Sequence, residues 1–235
     1  MKFVIIDHRL PKNVKSSLSS LGYTLIEMPS WKRLPSPVSA HPDMLLFIAK
    51  DRIITHRDYY YLARDKFNII TENGYSLTLS NESVSCLYPE DVLFNSLEIG
   101  DTLYGRRDRT SHHITEYASK NGKSFKSVRQ GYAKCSVCKV SEKAAITADP
   151  SLHKALTENG ADTLLVRPAE ISLPGYDRGF IGGCSGTTED TVYFSGNIAL
   201  HPDGELISEF CARHGKSAVS LSDEPLFDGG SLLFI

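Results

Sequence analysis

Five ionisable side chains stand at or near the start of short apolar segments: Asp43, Asp91, Lys134, Arg178 and Asp228. Carboxylates bind cationic groups, and an arginine binds a carboxylate through two parallel hydrogen bonds. If the fold brings these side chains together, they could hold a small cationic or zwitterionic molecule. The same charges could instead pair with one another and only neutralise a buried region, because buried charges need partners in either case. The sequence leaves both interpretations open.

His41 and Cys184 introduce a second kind of chemistry. Cys184 lies in the glycine-rich run 179–186, where glycines permit a ligand to approach the backbone closely. A cysteine nucleophile needs a neighbouring base and an acid. We therefore predict a candidate catalytic set of Cys184, His41 and Asp43, on the condition that the fold places them opposite one another.

The other cysteines and histidines do not predict a metal site. The chain has five cysteines, and an odd number without a secretion signal is typical of reduced thiols. Cys135 and Cys138 lie in a strand-like run, where residues three apart face opposite sides. His112 and His113 are adjacent at a helix start, and adjacent residues diverge around a helix. We expect no bound metal and no cofactor.

These candidate residues are positioned by a unit that occurs five times. Each copy consists of an apolar strand, a polar helix, a Gly or Asn stop and a second apolar strand. A period of roughly 45 residues is typical of solenoids and propellers. The copies span Phe3–Met28, Arg52–Ile70, Asp101–Val128, Ala144–Val166 and Thr191–Leu221.

Four copies are preceded by one more apolar stretch, here called a leader segment: His41–Ile48, Tyr88–Leu97, Gly131–Val140 and Tyr176–Cys184. The first copy has none, and the end of the chain, Phe227–Ile235, supplies the missing piece. We predict an α/β fold, a five-bladed propeller of strand-strand-helix-strand units closed by the C-terminal strand. Ser231–Ile235 should pair with Lys2–Ile6, and residues 1–235 should form one domain. The leader segments should line the central channel, with their charged starts at its mouth.

Helix boundaries and one long connection complete the sequence-based picture. Asp149-Pro150 predicts a capped helix that stops at Asn159-Gly160. After each stop we expect a strand, including Asn68–Ile70 in the second copy. The proline-containing stretch Met28–Ala40 is the longest irregular connection and could cover an opening of the ring.

Composition excludes several classes of protein. A net charge of −2 and a charged fraction of 23% do not indicate a nucleic-acid or anionic-membrane binder. An apolar run of the roughly 20 residues needed to span a bilayer is absent from the sequence. We expect a cytoplasmic protein whose partner is a small polar molecule, and a protein partner stays open.

The order of elements, together with Asp228-Gly229-Gly230 in the final segment, resembles the pentein fold of the guanidino-group modifying enzymes. That superfamily includes arginine and agmatine deiminases, dimethylarginine dimethylaminohydrolases and amidinotransferases, and the fold also occurs in a non-enzymatic ribosome anti-association factor. Three short stretches resemble an uncharacterised bacterial family of this fold: Ser39–Asp43, Gln130–Cys135 and Gly179–Gly183.

The resemblance also implies where the sequence departs from the enzymes. Deiminase-type members carry their nucleophilic cysteine shortly after a Gly-Gly pair in the last channel strand, and here Phe234 occupies that position. The expected function is therefore non-catalytic, or the binding of a small cationic or zwitterionic ligand at the channel mouth. The alternative is an amidine or amide hydrolase with Cys184 as a relocated nucleophile, so enzymatic activity stays undecided at this level.

Overall fold

The computed structural model describes residues 2–235, and in this range it contains the five predicted units. Seven helices and fifteen strands alternate along this part of the chain, in the order β1 Lys2–Asp7, α1 Lys12–Ser20, β2 Tyr23–Met28, α2 Pro42–Leu45, β3 Leu46–Ala49, β4 Arg52–His56, α3 Arg57–Leu62, α4 Arg64–Glu72, β5 Ser76–Ser80, β6 Leu97–Ile99, β7 Thr102–Gly105, α5 His112–Lys120, β8 Ser124–Ser127, β9 Val137–Ser141, β10 Ala144–Thr147, α6 Pro150–Glu158, β11 Asp162–Leu165, β12 Ser185–Thr187, β13 Thr191–Phe194, α7 Gly204–Arg213, β14 Ser217–Ser220 and β15 Leu233–Phe234.

Within residues 2–235 the strands form five three-stranded sheets, which we call blades one to five. Their strand orders are β15-β1-β2, β3-β4-β5, β6-β7-β8, β9-β10-β11 and β12-β13-β14. In every blade the first strand is antiparallel to the middle strand, and the middle strand is parallel to the third. The parallel pair is joined through a helix, as parallel strands require. The fold is the predicted five-bladed α/β propeller.

The first blade is completed by the end of the chain. Val4 pairs with Phe234 and Ile5 with Leu233, and the backbones of Phe3 and Ile235 exchange hydrogen bonds of 3.1 and 3.0 Å. The predicted pairing of the terminal strands is confirmed. It satisfies an edge of β1 that would otherwise present unpaired backbone groups.

Burial follows the position of each strand in its blade. The first strands of neighbouring blades, such as β9 and β12, lie against one another around the central axis. The middle strands are almost entirely buried, as in β10 and β13. The third strands are more exposed, as in β8, and they contact the outer helices. The leader segments therefore supply the strands nearest the axis.

The helix caps form as the sequence predicts. The Asp149 carboxylate accepts hydrogen bonds from the backbone of Ser151 at 2.8 Å and of Leu152 at 3.0 Å, which satisfies free donors at the start of α6. Gly160 follows the helix with φ of +84°, a left-handed conformation that glycine adopts without a steric penalty.

The predicted strand at Asn68–Ile70 is wrong, because these residues lie inside α4. Phe67 and Ile70 are fully buried, and their spacing of three residues places both on one helical face. Helix α4 ends later than predicted, and Gly74 follows it with φ of +93°. The third strand of this blade therefore begins at Ser76.

The leader segments begin as turns, and their strands start late: β3 and β9 occupy the second halves of their segments, whereas β6 starts only at Leu97 and β12 only after Cys184. His41–Ile48 starts with the short helix α2, and in the third leader segment Ser136 N donates to Tyr132 O at 3.0 Å. Cys184 lies just before β12, where its N–H donates to Phe180 O at 3.2 Å. These turns bring polar residues of several blades to the same end of the axis.

The connection of residues 29–40 packs over that end. Arg9 donates to the backbone oxygens of Ser36 at 2.7 Å and Pro37 at 2.8 Å. Trp31 is buried, and its ring centroid lies 5.7 Å from that of Tyr59. Across residues 2–235, none of the helices is long and apolar enough to cross a membrane.

Candidate functional site

A relay of polar atoms links three blades at the centre of the propeller. Lys134 Nζ donates to Ser231 Oγ at 3.0 Å, and Ser231 Oγ donates to Asp43 Oδ2 at 2.7 Å. Asp43 is only 2% exposed. Its second oxygen, Oδ1, is equally buried and accepts no well-formed hydrogen bond from any residue between 2 and 235, although the Cys135 thiol, a weak donor, lies beside this carboxylate. A buried carboxylate oxygen without a donor is energetically costly and requires an explanation.

Asp228 lies next to this relay and is held by backbone donors. Its Oδ2 accepts from Phe180 N at 2.8 Å and its Oδ1 from Gly230 N at 3.0 Å. Burial raises the pKa of Asp228. A side chain at Gly183 would collide with the Asp228 carboxylate, so this part of the glycine-rich run serves to admit Asp228.

His41 lies between two carboxylates without hydrogen-bonding to either. Its Nε2 is 3.8 Å from Asp7 Oδ2, and its Nδ1 is 3.7 Å from Asp228 Oδ1. Within the described residues Nδ1 has no hydrogen-bond partner. Asp7 is already paired with Arg9, whose Nη2 is 2.6 Å from Oδ2. A side chain at Gly230 would collide with His41, so this glycine also permits close packing.

Asn95 joins the turns of three leader segments, and sequence reasoning missed it. Its Nδ2 donates to Asp43 O at 3.0 Å, and its Oδ1 accepts from Lys134 N at 2.8 Å. Cys135 Sγ lies 2.9 Å from the same Nδ2. Burial raises the pKa of Cys135 well above its ordinary value, and the carboxylates of Asp43 and Asp228 raise it further. The position of Asn95 at the end of the apolar run 92–94 was the available signal.

A cavity of about 620 Å³ runs along the central strands from this relay. Asp43 and Lys134 lie at its inner end, beside strands β3, β6 and β9 and Leu233 of β15. Its outer rim consists of the turns between first and middle strands, where Lys50, Asp101 and Lys143 are exposed. The accessible opening is therefore at the turns. The end at which the sequence predicts a mouth is filled by buried side chains.

The structure brings some of the predicted site residues together and separates others. Asp43, Lys134, Asp228 and His41 lie around Ser231 and the glycine-rich run, as described above. Asp91 is buried elsewhere, where its Oδ2 accepts from Tyr132 Oη at 2.7 Å. The expectation that Arg178 joins the central cluster is wrong: Arg178 lies in the exposed turn 174–178, and its side chain lines a separate cavity.

The surroundings of Cys184 do not favour a thiolate. The residue is fully buried, and its Sγ donates to Ile181 O at 3.2 Å. Burial raises the pKa of Cys184 well above its ordinary value, and the nearby Asp228 carboxylate acts in the same direction. A nucleophilic cysteine requires the opposite shift.

The Cys135 and Cys138 sulfurs diverge as predicted, although Cys135 lies in a turn and only Cys138 in strand β9. They pack in different hydrophobic clusters. Burial raises the pKa of Cys138 to about 11. Both environments are those of structural thiols.

In residues 2–235, one group of metal-ligand side chains has its ligand atoms within 4.8 Å of one another: Glu82, His112 and His113. The Glu82 carboxylate is already engaged, since it accepts from His112 N at 2.9 Å and from the hydroxyls of Ser80 and Ser111. Glu82 thus anchors the start of helix α5, and His112 is largely exposed. This arrangement is explained by helix capping.

Comparison with solved structures defines the class of fold. An amidinotransferase from Microseira wollei in the saxitoxin biosynthetic pathway is similar with a TM-score of 0.57 and 10% identity, over 94% of this chain and 88% of its own. A dimethylarginine dimethylaminohydrolase from Pseudomonas aeruginosa, complexed with citrulline, gives 0.56 and 13% over 94% and 91%. An agmatine deiminase from C. jejuni gives 0.53 and 7% over 94% and 87%. The protein therefore has the pentein fold.

The chain belongs to the family of unknown function DUF6873, whose model matches residues 5–233. No curated protein sequence matches it. At 7% to 13% identity, the structural similarity establishes the fold and says nothing of the chemistry of this chain.

Proposed function

We propose that this protein binds a small cationic or zwitterionic molecule in the central cavity without transforming it. The observation that carries the proposal is Asp43 Oδ1, a buried carboxylate oxygen that receives no hydrogen bond from residues 2–235 and belongs to a residue lining a cavity of about 620 Å³. An ammonium or guanidinium group would supply the missing donors and the opposite charge. The oxygen would then be satisfied in the bound state.

The rim of the cavity favours a ligand with a second, anionic end. Lys50 and Lys143 are exposed at the outer turns, where they could attract a carboxylate. The Lys139 ammonium is already 2.5 Å from Glu142. Similar proteins bind molecules of this type, since one solved relative holds citrulline and another is an agmatine deiminase. Amino acids and amines with a guanidino or ureido group are therefore the first ligands to test.

Hydrolysis is the weaker hypothesis because both candidate nucleophile positions are unsuitable. Cys184 is fully buried with a raised pKa. Phe234, at the position of the deiminase cysteine, packs between Tyr23 and Tyr193 with ring centroids 4.9 and 5.2 Å away. Without an accessible thiolate, a covalent amidino intermediate has no nucleophile. We therefore expect neither ammonia nor citrulline to be released from arginine or agmatine.

A thermal-shift screen with arginine, agmatine, citrulline and ornithine tests this proposal. A ligand at about 100 times its dissociation constant adds roughly 2.7 kcal/mol of stability, so a bound member of the series should raise Tm by several degrees. Asp43→Asn should lose that shift while its own Tm stays near that of wild type. Asp101→Asn is the matched control, because Asp101 lies at the rim and is 99% exposed. The proposal fails if no compound shifts Tm, or if Asp43→Asn responds like wild type.

A further inference from the structure

A second cavity of about 280 Å³ lies between blades four and five, outside the central axis. It is the cavity to which Arg178 contributes. Most of its wall is apolar, and the polar side chains that matter here are Ser136, Arg178 and His201. The apolar wall includes Ala148, Pro150, Pro168, Ile171, Phe180 and Ile181.

Ser136 provides the first sign of a missing ligand atom. The residue is 2% exposed and lines the cavity, yet its Oγ makes no hydrogen bond to any described residue. The Ser136 backbone oxygen is satisfied by Thr147 Oγ1 at 2.8 Å. The unpaired group is thus the hydroxyl alone, and burying a hydroxyl without a partner costs about 1–3 kcal/mol.

His201 lines the same cavity as well as a neighbouring one of about 420 Å³, and its ring carries a second free donor. Its Nδ1 accepts from Asp203 N at 2.9 Å, so a neutral ring carries its proton on Nε2. Burial lowers the pKa of His201, which keeps the ring neutral at pH 7. Of the protein groups in residues 2–235, none accepts a hydrogen bond from this Nε2.

The remaining charged groups leave the cavity rich in donors. Asp149 is engaged by the start of helix α6 and by Gln130 Nε2 at 3.2 Å. Arg167 is engaged by Asp203, with Nη2 2.6 Å from Oδ1. Arg178 forms no ion pair with any residue between 2 and 235. The cavity is therefore lined by free hydrogen-bond donors and by the unpaired guanidinium of Arg178. Its own carboxylate, that of Asp149, is already hydrogen-bonded.

We infer that this cavity binds a small carboxylate with an apolar body. The carboxylate would pair with Arg178, and the Ser136 hydroxyl and the His201 N–H would donate to its oxygens or to a polar substituent. The apolar body would pack against Phe180 and Ile181. A cavity of about 150 Å³ holds one benzene ring, so 280 Å³ suits a single-ring or short branched carboxylate.

Isothermal titration with benzoate, phenylacetate and 3-methylbutanoate tests this inference. We expect saturable one-to-one binding of at least one compound, and at least a tenfold weaker affinity for the neutral benzamide or phenylacetamide. Arg178→Gln should weaken binding at least tenfold, and Ser136→Ala at least threefold. Arg64→Gln is the matched control, because Arg64 is exposed on helix α4 in blade two and should bind like wild type.

Arg178 is an exposed surface residue, so its substitution should leave the fold intact, which circular dichroism would verify. The inference is overturned if none of the three carboxylates binds, if the amides bind equally well, or if Arg178→Gln binds like wild type. Binding that is lost in Asp43→Asn instead would place the compound in the central cavity and would also overturn it. The result is independent of the amine screen, since the two sites share no residue.

Discussion

The central cavity and the cavity between blades four and five differ in which hydrogen-bonding partner they lack. The central cavity contains a buried acceptor without a donor, Asp43 Oδ1, whereas the outer one contains a buried hydroxyl without a partner, Ser136 Oγ, and the unpaired guanidinium of Arg178; these statements hold for residues 2–235. Buried polar groups in proteins are almost always paired. We therefore propose ligands of opposite charge for the two pockets of one propeller.

The difference arises from where each pocket lies in the repeat. The central cavity is formed by the first strands of several blades, whose turns bring Asp43, Asp228 and Ser231 to the axis. The outer cavity lies between blades four and five, where the connection that leads into blade five carries Arg167 and Arg178 and faces Ser136 and His201. Pseudo-symmetry concentrates side chains at the axis, while the outer pocket takes both of its arginines from a single connection.

We expect the largest loss of stability from Gly183→Ala, which disrupts the packing around Asp228 beside the central cavity. The new methyl group would collide with Asp228 Oδ1, so the loss should reach the upper end of the roughly 1–3 kcal/mol that overpacking a buried site costs. Chemical denaturation would measure the loss. Gly160→Ala is the comparator, because its methyl group meets open space and only the φ of +84° is unfavourable, at roughly 1–2 kcal/mol. Equal losses in the two variants would show that Asp228 is not tightly enclosed.

We expect a smaller change in stability from Asp91→Asn. This substitution tests the cost of a buried carboxylate at a position outside both proposed ligand sites. Burial raises the pKa of Asp91, so the wild-type protein loses stability as pH rises through that raised pKa, because the folded state binds the proton more tightly than the unfolded state. The asparagine cannot ionise and can still accept from Tyr132. The variant should therefore gain stability over wild type as pH increases from 4 to 8, by about 1.4 kcal/mol per unit of elevation.

Urea denaturation at several pH values would measure this difference. A constant difference between pH 4 and 8 would contradict the assignment of a costly buried carboxylate. Asp91 lines neither cavity, so the variant should also leave the responses to amines and carboxylates unchanged.

Much of the fold could be predicted from the sequence because its signals are local and repeated. The cap at Asp149, the stop at Gly160 and the pairing of Ser231–Ile235 with Lys2–Ile6 depend on short-range chemistry or on the order of elements. The prediction of a strand at Asn68–Ile70 was wrong because a short run with two isoleucines fits a helix as well as a strand. Periodicity alone does not show whether a short apolar run is a strand or part of a helix.

The candidate site could be predicted only in part. The starts of the leader segments do place Asp43, Lys134 and Asp228 near the axis. Arg178 has the same position in the pattern, but the turn 174–178 directs it to another cavity. The role of Ser136 could not be predicted, since an unpaired hydroxyl is a property of three-dimensional packing and leaves no trace in the spacing of residues.

Isothermal titration of wild-type protein, Asp43→Asn and Asp101→Asn with agmatine, arginine and citrulline tests the central claim most directly. Wild type and Asp101→Asn should bind at least one compound with one-to-one stoichiometry and affinities within about twofold of each other. Asp43→Asn should bind it at least tenfold more weakly, a loss of about 1.4 kcal/mol. Equal binding by Asp43→Asn, or no binding by the wild-type protein, would contradict the claim that Asp43 holds a cationic ligand.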